Sequence, residues 1–235
     1  MLEVRDLHSY YGKSNILHGV SLRLSEGELV CLLGRNGVGK STTLKSIMGL
    51  VKARDGSIRF KEQELIGREP FEIARLGVGY VPEDRRIFRS LTVHENLSIG
   101  IKGSENGGKG QGWTIEKIYD FFPLLKNRQN NRGGHLSGGE QQMLTVARTL
   151  MGNPDLILVD EPTEGLAPLI VKEVLEMLAA VRKSGVTILM VEQNFKGAVK
   201  IANRFYVMGK GKIVFMGSVE ELMAAEDVRR NYLEV

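Results

Sequence analysis

A single cysteine among 235 residues rules out an internal disulfide framework and a cysteine metal site. Cys31, inside the apolar run "ELVCLLG", reads as a buried strand residue. Long apolar runs are also missing. Nothing approaches the roughly 18 residues that a membrane-crossing helix needs, and the opening "MLEVRDLHSYYGK" is charged and alternating, unlike a secretion signal. The expectation is a protein made and kept in the cytoplasm, which serves a membrane only through a partner. Charge of one sign is scarce too. Lys and Arg (32) barely exceed Asp and Glu (28), and the net charge of +4 includes no basic tail. That balance does not argue for nucleic acid, and it suits, weakly, a site beside an anionic membrane face. No repeat, coiled-coil heptad or linker interrupts the chain.

Glycine is in excess, at 28 residues, and the excess is expected in functional turns. Apolar residues at 42% and charged residues at 26% are ordinary for a globular protein. The length suits one α/β domain carrying an insertion. Strands are expected at "LEVRDLHSYY", "LHGVSLRL", "LVCLLG", "GSIRF" and "VGYVP", and a helix from about 39 to 50. Residues from about 84 to 150 read as helices separated by loops, with an exposed glycine-rich loop at 100–112. Beyond 153 the apolar strands "DLILVDEP" and "VTILMVEQ" alternate with helices at 168–183 and "FKGAVKIAN", and "RFYVMGKGKIVFMG" reads as a hairpin. Fully apolar strands between helices imply a mostly parallel sheet covered on both faces.

Two motifs carry chemistry on their own. "LVCLLGRNGVGKSTTLKSIMG" matches G-x-x-x-x-G-K-[ST] at Gly34, Gly39, Lys40 and Ser41, after an apolar strand and before a helix. Gly34, Gly37 and Gly39 allow the backbone N–H groups to turn inward on phosphate oxygens at a helix N-terminus. Lys40 is expected to reach the β and γ phosphates of ATP, and Ser41 to ligate Mg²⁺ through its hydroxyl. In "LILVDEP", Asp160 ends a buried strand where open α/β sheets place their ligands, and is suited to the Mg²⁺ shell. Glu161 follows it as the natural general base for the attacking water.

A third stretch, "LSGGEQQ" (136–142), places a serine and two glycines before a helix. It resembles the signature loop of the ATP-binding cassette ATPases, and the phosphate loop and "LILVDEP" stand in the order and spacing of that superfamily. The resemblance covers essentially the whole chain. It implies an α/β P-loop NTPase core with an antiparallel β subdomain (1–83 and 151–235) and an inserted helical subdomain (84–150). It also implies that two cassettes meet head to tail, so that Ser137, Gly138 and Gly139 contact the partner's ATP. Asn36, Val38 and Thr42 join the nucleotide set. Tyr11 resembles the aromatic that stacks on adenine, with Tyr10 as the alternative.

"VPEDRRIFRSLTVHENL", "LSGGEQQMLTVARTLMGNPDLILVDEPTEGLAPLI" and "ILMVEQN" are similar to the smaller ATPase of branched-chain amino acid uptake systems and to the related urea importers. "LLGRNGVGKST" and "EPTEG" lean toward the urea type and "GLAP" toward the amino acid type. In that group the ATPase sits at the cytoplasmic face of the membrane. There it pairs with a second, different cassette beneath two permeases, and a periplasmic or extracellular binding protein feeds the system. The ending at Val235, soon after the last expected strands, leads to an expectation of no regulatory extension. Three positions depart from the superfamily pattern. Glu83 stands where most cassettes carry a Gln that senses Mg²⁺ and couples to the membrane partner, which fits the amino acid subgroup. Gln193 stands where a His usually meets the γ phosphate; an amide donates a hydrogen bond but cannot become cationic. Gln193 is open also to a helix-capping role. "TEGLAP" (163–168) occupies the loop that crosses the dimer interface, without its usual serine-alanine-leucine-aspartate pattern. A non-transport cassette ATPase and a nucleotide-dependent scaffold remain as alternatives, though no coiled-coil arm of the DNA-repair type is present.

Overall fold

The computed structural model describes residues 1–102 and 112–233. Most of the glycine-rich loop expected at 100–112 lies outside the described residues. In chain order the elements are β1 (Leu2–Tyr11), β2 (Ser14–Leu24), β3 (Leu29–Leu33), α1 (Lys40–Ile47), β4 (Ala53–Phe60), β5 (Gln63–Glu64), α2 (Pro70–Arg75) and β6 (Val78–Val81). Four helices follow: α3 (Val93–Ile99), α4 (Ile115–Phe121), α5 (Pro123–Asn127) and α6 (Gly138–Leu150). The remainder is β7 (Leu156–Asp160), α7 (Pro168–Lys183), β8 (Thr187–Glu192), α8 (Phe195–Ala198), β9 (Arg204–Gly209), β10 (Lys212–Gly217), α9 (Val219–Ala224) and α10 (Glu226–Tyr232).

Two sheets result. The first is antiparallel, in the order β2-β1-β4-β5, and its long strands alternate buried with solvent-facing residues. The second has six strands in the order β10-β9-β3-β8-β7-β6, parallel except for the β9–β10 hairpin. β3, β7 and β8 are buried along their whole length. Their period of two sends alternate side chains to opposite faces. Cys31, Ile157, Val159, Ile188 and Met190 join the core that includes α6 and α7, while Val30, Leu32, Leu158, Leu189 and Val191 join the core beneath the antiparallel sheet. Each fully buried Leu, Val or Ile contributes about 1.5–3 kcal/mol, which is why strands so distant in sequence hold one register.

One expectation changes and three short elements are added. The helix expected at "FKGAVKIAN" stops at Ala198 and continues as turns, after Gly197, a poor helix former, packs close to Leu175. β5 is a short edge that hydropathy alone does not announce. After the last strands come α9 and α10; α9 begins at a Ser218/Glu221 capping box, a spacing readable in "SVEE".

Candidate functional site

Adjacent parallel strands bring the separated motifs together at their C-terminal ends. β3 pairs with β8 up to Leu33↔Glu192, and β8 with β7 up to Asp160↔Val191. The loop after β3, the acids ending β7 and the turn after β8 therefore share one edge of the sheet, the usual ligand edge of such folds. Gly34 begins the phosphate loop because a Cβ there would stand 2.6 Å from the Met208 carbonyl oxygen. Gly39, at φ 112°, caps α1 in a conformation that L side chains rarely adopt.

Lys40 is 3% exposed, and its ammonium turns back into the loop. It donates to the carbonyls of Gly34 (2.9 Å) and Arg35 (3.1 Å) and pairs with Glu161 Oε1 at 2.9 Å. Ser41 Oγ donates to Asp160 Oδ1 at 2.7 Å, and the Tyr80 hydroxyl donates to Oδ2 at 2.8 Å. Burial raises the Asp160 pKa, with the bonds from Ser41 and Tyr80 opposing it. Burial, then the Asp160 charge, pushes the Tyr80 hydroxyl well up, so it keeps its proton and stays a donor.

Glu161 holds a positive φ of 42° while its N–H reaches the Val191 carbonyl, a strained conformation for a non-glycine residue. Gln193 Nε2 donates to Glu161 Oε2 at 3.2 Å, so the two residues meet across neighbouring loops. Glu164 and Glu83 approach from the same side. The Glu164 carboxyl is pushed up to about 7, first by its hydrogen bond to the Glu161 carboxylate, then by burial and by the Glu161 and Glu83 charges. Tyr11 is 49% exposed, whereas the Tyr10 ring is covered by the Arg54 guanidinium at 4.3 Å.

Ser137 caps α6. Its hydroxyl accepts from the Glu140 N–H (3.3 Å), and the Glu140 carboxylate accepts from the Ser137 N–H (2.7 Å). Within the chain, the space beside Gly138 is bounded by Arg85 and Leu166, and that beside Gly139 by Ile170. None of these neighbours belongs to the phosphate loop.

Sequence reasoning passed over Tyr80, Glu164 and Glu192. Glu192 carried a legible signal, since it is an acid ending a fully apolar strand, just as Asp160 is. Tyr80 and Glu164 had none, because their roles depend on which strands become neighbours.

A glycine-rich loop between a buried parallel strand and a helix, facing acids at the ends of adjacent strands, defines a P-loop nucleotide hydrolase. The sequence profile of the ABC transporter family matches residues 17–164, and the chain belongs to that family as an ATP-hydrolysing cassette. It is 43% identical to the high-affinity branched-chain amino acid transport ATP-binding protein BraG of Pseudomonas aeruginosa, over 99% of each chain. It is 33% identical to the protein named "Probable branched-chain amino acid transport ATP-binding protein LivF" of Archaeoglobus fulgidus, over 96% of this chain and 95% of that one. The lipopolysaccharide export ATP-binding protein LptB of Haemophilus influenzae is also 33% identical, over 99% and 97%. Among solved structures, the ADP conformation of a cassette from an ABC transporter superposes with a TM-score of 0.84 at 25% identity, covering 98% and 97%. A nucleotide-free cassette superposes with 0.83 at 27% identity, covering 97% and 96%.

Proposed function

We propose that this cassette drives a high-affinity branched-chain amino acid importer from the cytoplasmic face of the membrane, as one of two different ATPase subunits beneath a pair of permeases served by an external binding protein. The supporting observation is the 43% identity to BraG across 99% of both chains. Among the described residues no helix is long and apolar enough to cross a membrane, so attachment would run through the permeases. Exposed Phe71 on α2 and Ile101 after α3 offer an apolar docking face. Lys102 Nζ, which donates to the Ala74 carbonyl, ties the two elements together.

The proposed roles draw on the family resemblance, and the contacts around the site support them. Tyr11 would stack on adenine, while residues 34–42, including Asn36, Val38 and Thr42, would enclose the phosphates. The paired oxygens of Ser41 and Asp160 form a hard donor set that fits Mg²⁺, which takes few protein ligands and keeps its remaining positions for phosphate and water. Glu83 would lie at the rim of that shell. When bound, Mg²⁺ neutralises charge on the β and γ oxygens. Lys40 would leave Glu161 for those phosphates, freeing the Glu161 carboxylate to take the proton of the attacking water as the bond from the γ phosphorus to the ADP oxygen breaks. Gln193 would hold the carboxylate and donate toward the γ phosphate. Ser137, Gly138 and Gly139 would complete the partner's site.

The test is uptake into proteoliposomes holding the complete transporter isolated with this chain, with MgATP inside. Labelled leucine should accumulate and urea should not. Urea uptake would select the importer type toward which "EPTEG" leans, and isolation of the chain from solubilised membranes with no permease attached would overturn the transport assignment.

A further inference from the structure

Glu192, the last residue of β8, is 3% exposed. A carboxylate so completely removed from water must find donors in place of its hydration. Oε1 accepts the Thr163 N–H at 3.1 Å and the Thr163 hydroxyl at 2.6 Å. Oε2 accepts the N–H groups of Gln193 at 3.0 Å and Asn194 at 3.1 Å. The two oxygens thus grip two different loops. Thr163 lies two residues after Glu161, and Gln193 is the residue whose amide reaches Glu161 at 3.2 Å.

We propose that Glu192 is a positioning residue for ATP hydrolysis, clamping the loop after β7 to the turn after β8 and so setting Glu161 against Gln193. The inference rests on the reading of Glu161 as general base. Every group facing the Glu192 carboxylate is a donor, and only a carboxylate offers acceptors on both oxygens. An amide would turn its NH₂ onto N–H groups on one side and leave them buried without an acceptor. The clamp also accounts for the persistence of the strained φ at Glu161, because a backbone held there needs both flanks fixed. The Glu161 N–H bond to Val191 fixes one flank, and the Thr163 bonds to Glu192 fix the other. Residues 163–168 are also the segment proposed to cross to the partner cassette, so one carboxylate links that crossing to the γ-phosphate donor.

The experiment uses the full chain and Glu192→Gln, with steady-state ATPase rates, MgATP titration and amide hydrogen exchange. The kcat should fall by at least ~10-fold, as misplacement of catalytic groups does. MgATP affinity should stay within about threefold, since binding to the ground state is untouched. Exchange should accelerate at the amides of Thr163, Gln193 and Asn194, while β3 and β7 remain protected. Thr163→Ser, which keeps the hydroxyl, should behave as wild type; Thr163→Val should lose part of the rate and add little to Glu192→Gln. Wild-type kcat in folded Glu192→Gln would overturn the proposal. So would loss of rate matched by equal loss of affinity and by exchange throughout the sheet, the pattern of a residue that only supports the fold. If Glu192→Gln does not fold, equal rates for Thr163→Ser and Thr163→Val overturn the proposal and unequal rates support it. Glu161→Gln separates the premises. Turnover retained there defeats the general-base reading, whereas an inactive Glu161→Gln beside a fully active Glu192→Gln defeats this inference alone.

Discussion

Lys40 and Glu161 neutralise each other at 2.9 Å, with side chains 2% and 7% exposed. On the proposed role of Lys40, ATP takes its ammonium, so binding parts a buried ion pair. Glu161→Gln removes one charge of that pair. Stripping a partner from a fully buried ion pair costs about 3–5 kcal/mol. Here Lys40 keeps the Gly34 and Arg35 carbonyls, and the new amide oxygen offers another acceptor, so the loss to the free protein is about 1–2 kcal/mol. The same amount no longer opposes ATP. At 1.4 kcal/mol per tenfold, the nucleotide should bind ~5–30-fold more tightly. The chemical step should meanwhile slow by ~10²–10⁴ through loss of the base. The variant should therefore melt earlier than wild type when free and no earlier when saturated, a crossing that calorimetry with a non-hydrolysable ATP analogue detects. Unchanged or weaker affinity would refute the idea that the pair competes with nucleotide.

A Lys40→Ala subunit and a Gly138→Asp subunit, each inactive alone, should regain activity when mixed, because a head-to-tail dimer gathers both lesions into one site and leaves the other whole. No recovery, with mixed dimers proven and a single intact site shown to turn over, would place the signature loop on its own subunit's ATP. Glu28 tests the fold. Burial raises its pKa, but the two-point bond from Arg204 and the Ser25 N–H outweigh burial and hold it below the ordinary value. A lowered carboxylate pKa adds stability above the unfolded pKa and loses it as pH falls through the folded one. Glu28→Gln should accordingly cost ~1 kcal/mol at neutral pH after solvent screening, with the difference in melting temperature closing below pH 4 to 5. A difference that persists undiminished at pH 3 would assign the effect to packing instead.

The phosphate loop, "LILVDEP" and the signature were legible because each is local: a strand, a turn and a helix start written in consecutive residues. The two-faced sheet was legible for the same reason, through the unbroken apolar runs of β7 and β8. What those motifs do to one another was not. Lys40 read as a phosphate ligand, and nothing in the local sequence shows that it also meets Glu161, a contact that spans 121 positions only because β3, β8 and β7 are neighbours. Tyr80 likewise reads as a strand residue until β6 pairs with β7 and its hydroxyl meets Asp160. The helical reading of "FKGAVKIAN" erred in the other direction, since the helix forms at Phe195–Ala198 but the apolar spacing persists into the turns that follow it.

Strand order thus does what no single motif can. Three parallel strands end at one edge, and each delivers one part: backbone donors after β3, acids after β7, and the Gln193 amide after β8. Within the chain these parts satisfy one another. Lys40 is held by Glu161, Asp160 by Ser41 and Tyr80, and Glu192 by four donors. Hydrogen bonds satisfy all of these groups, but only Lys40 and Glu161 cancel in charge; Asp160 and Glu192 remain anionic beneath their neutral donors. For the proposed phosphate contacts Lys40 must exchange its partner, and that exchange frees the Glu161 carboxylate. On the proposed roles, ATP is both the substrate and the agent that arms the base, because it draws Lys40 away from Glu161.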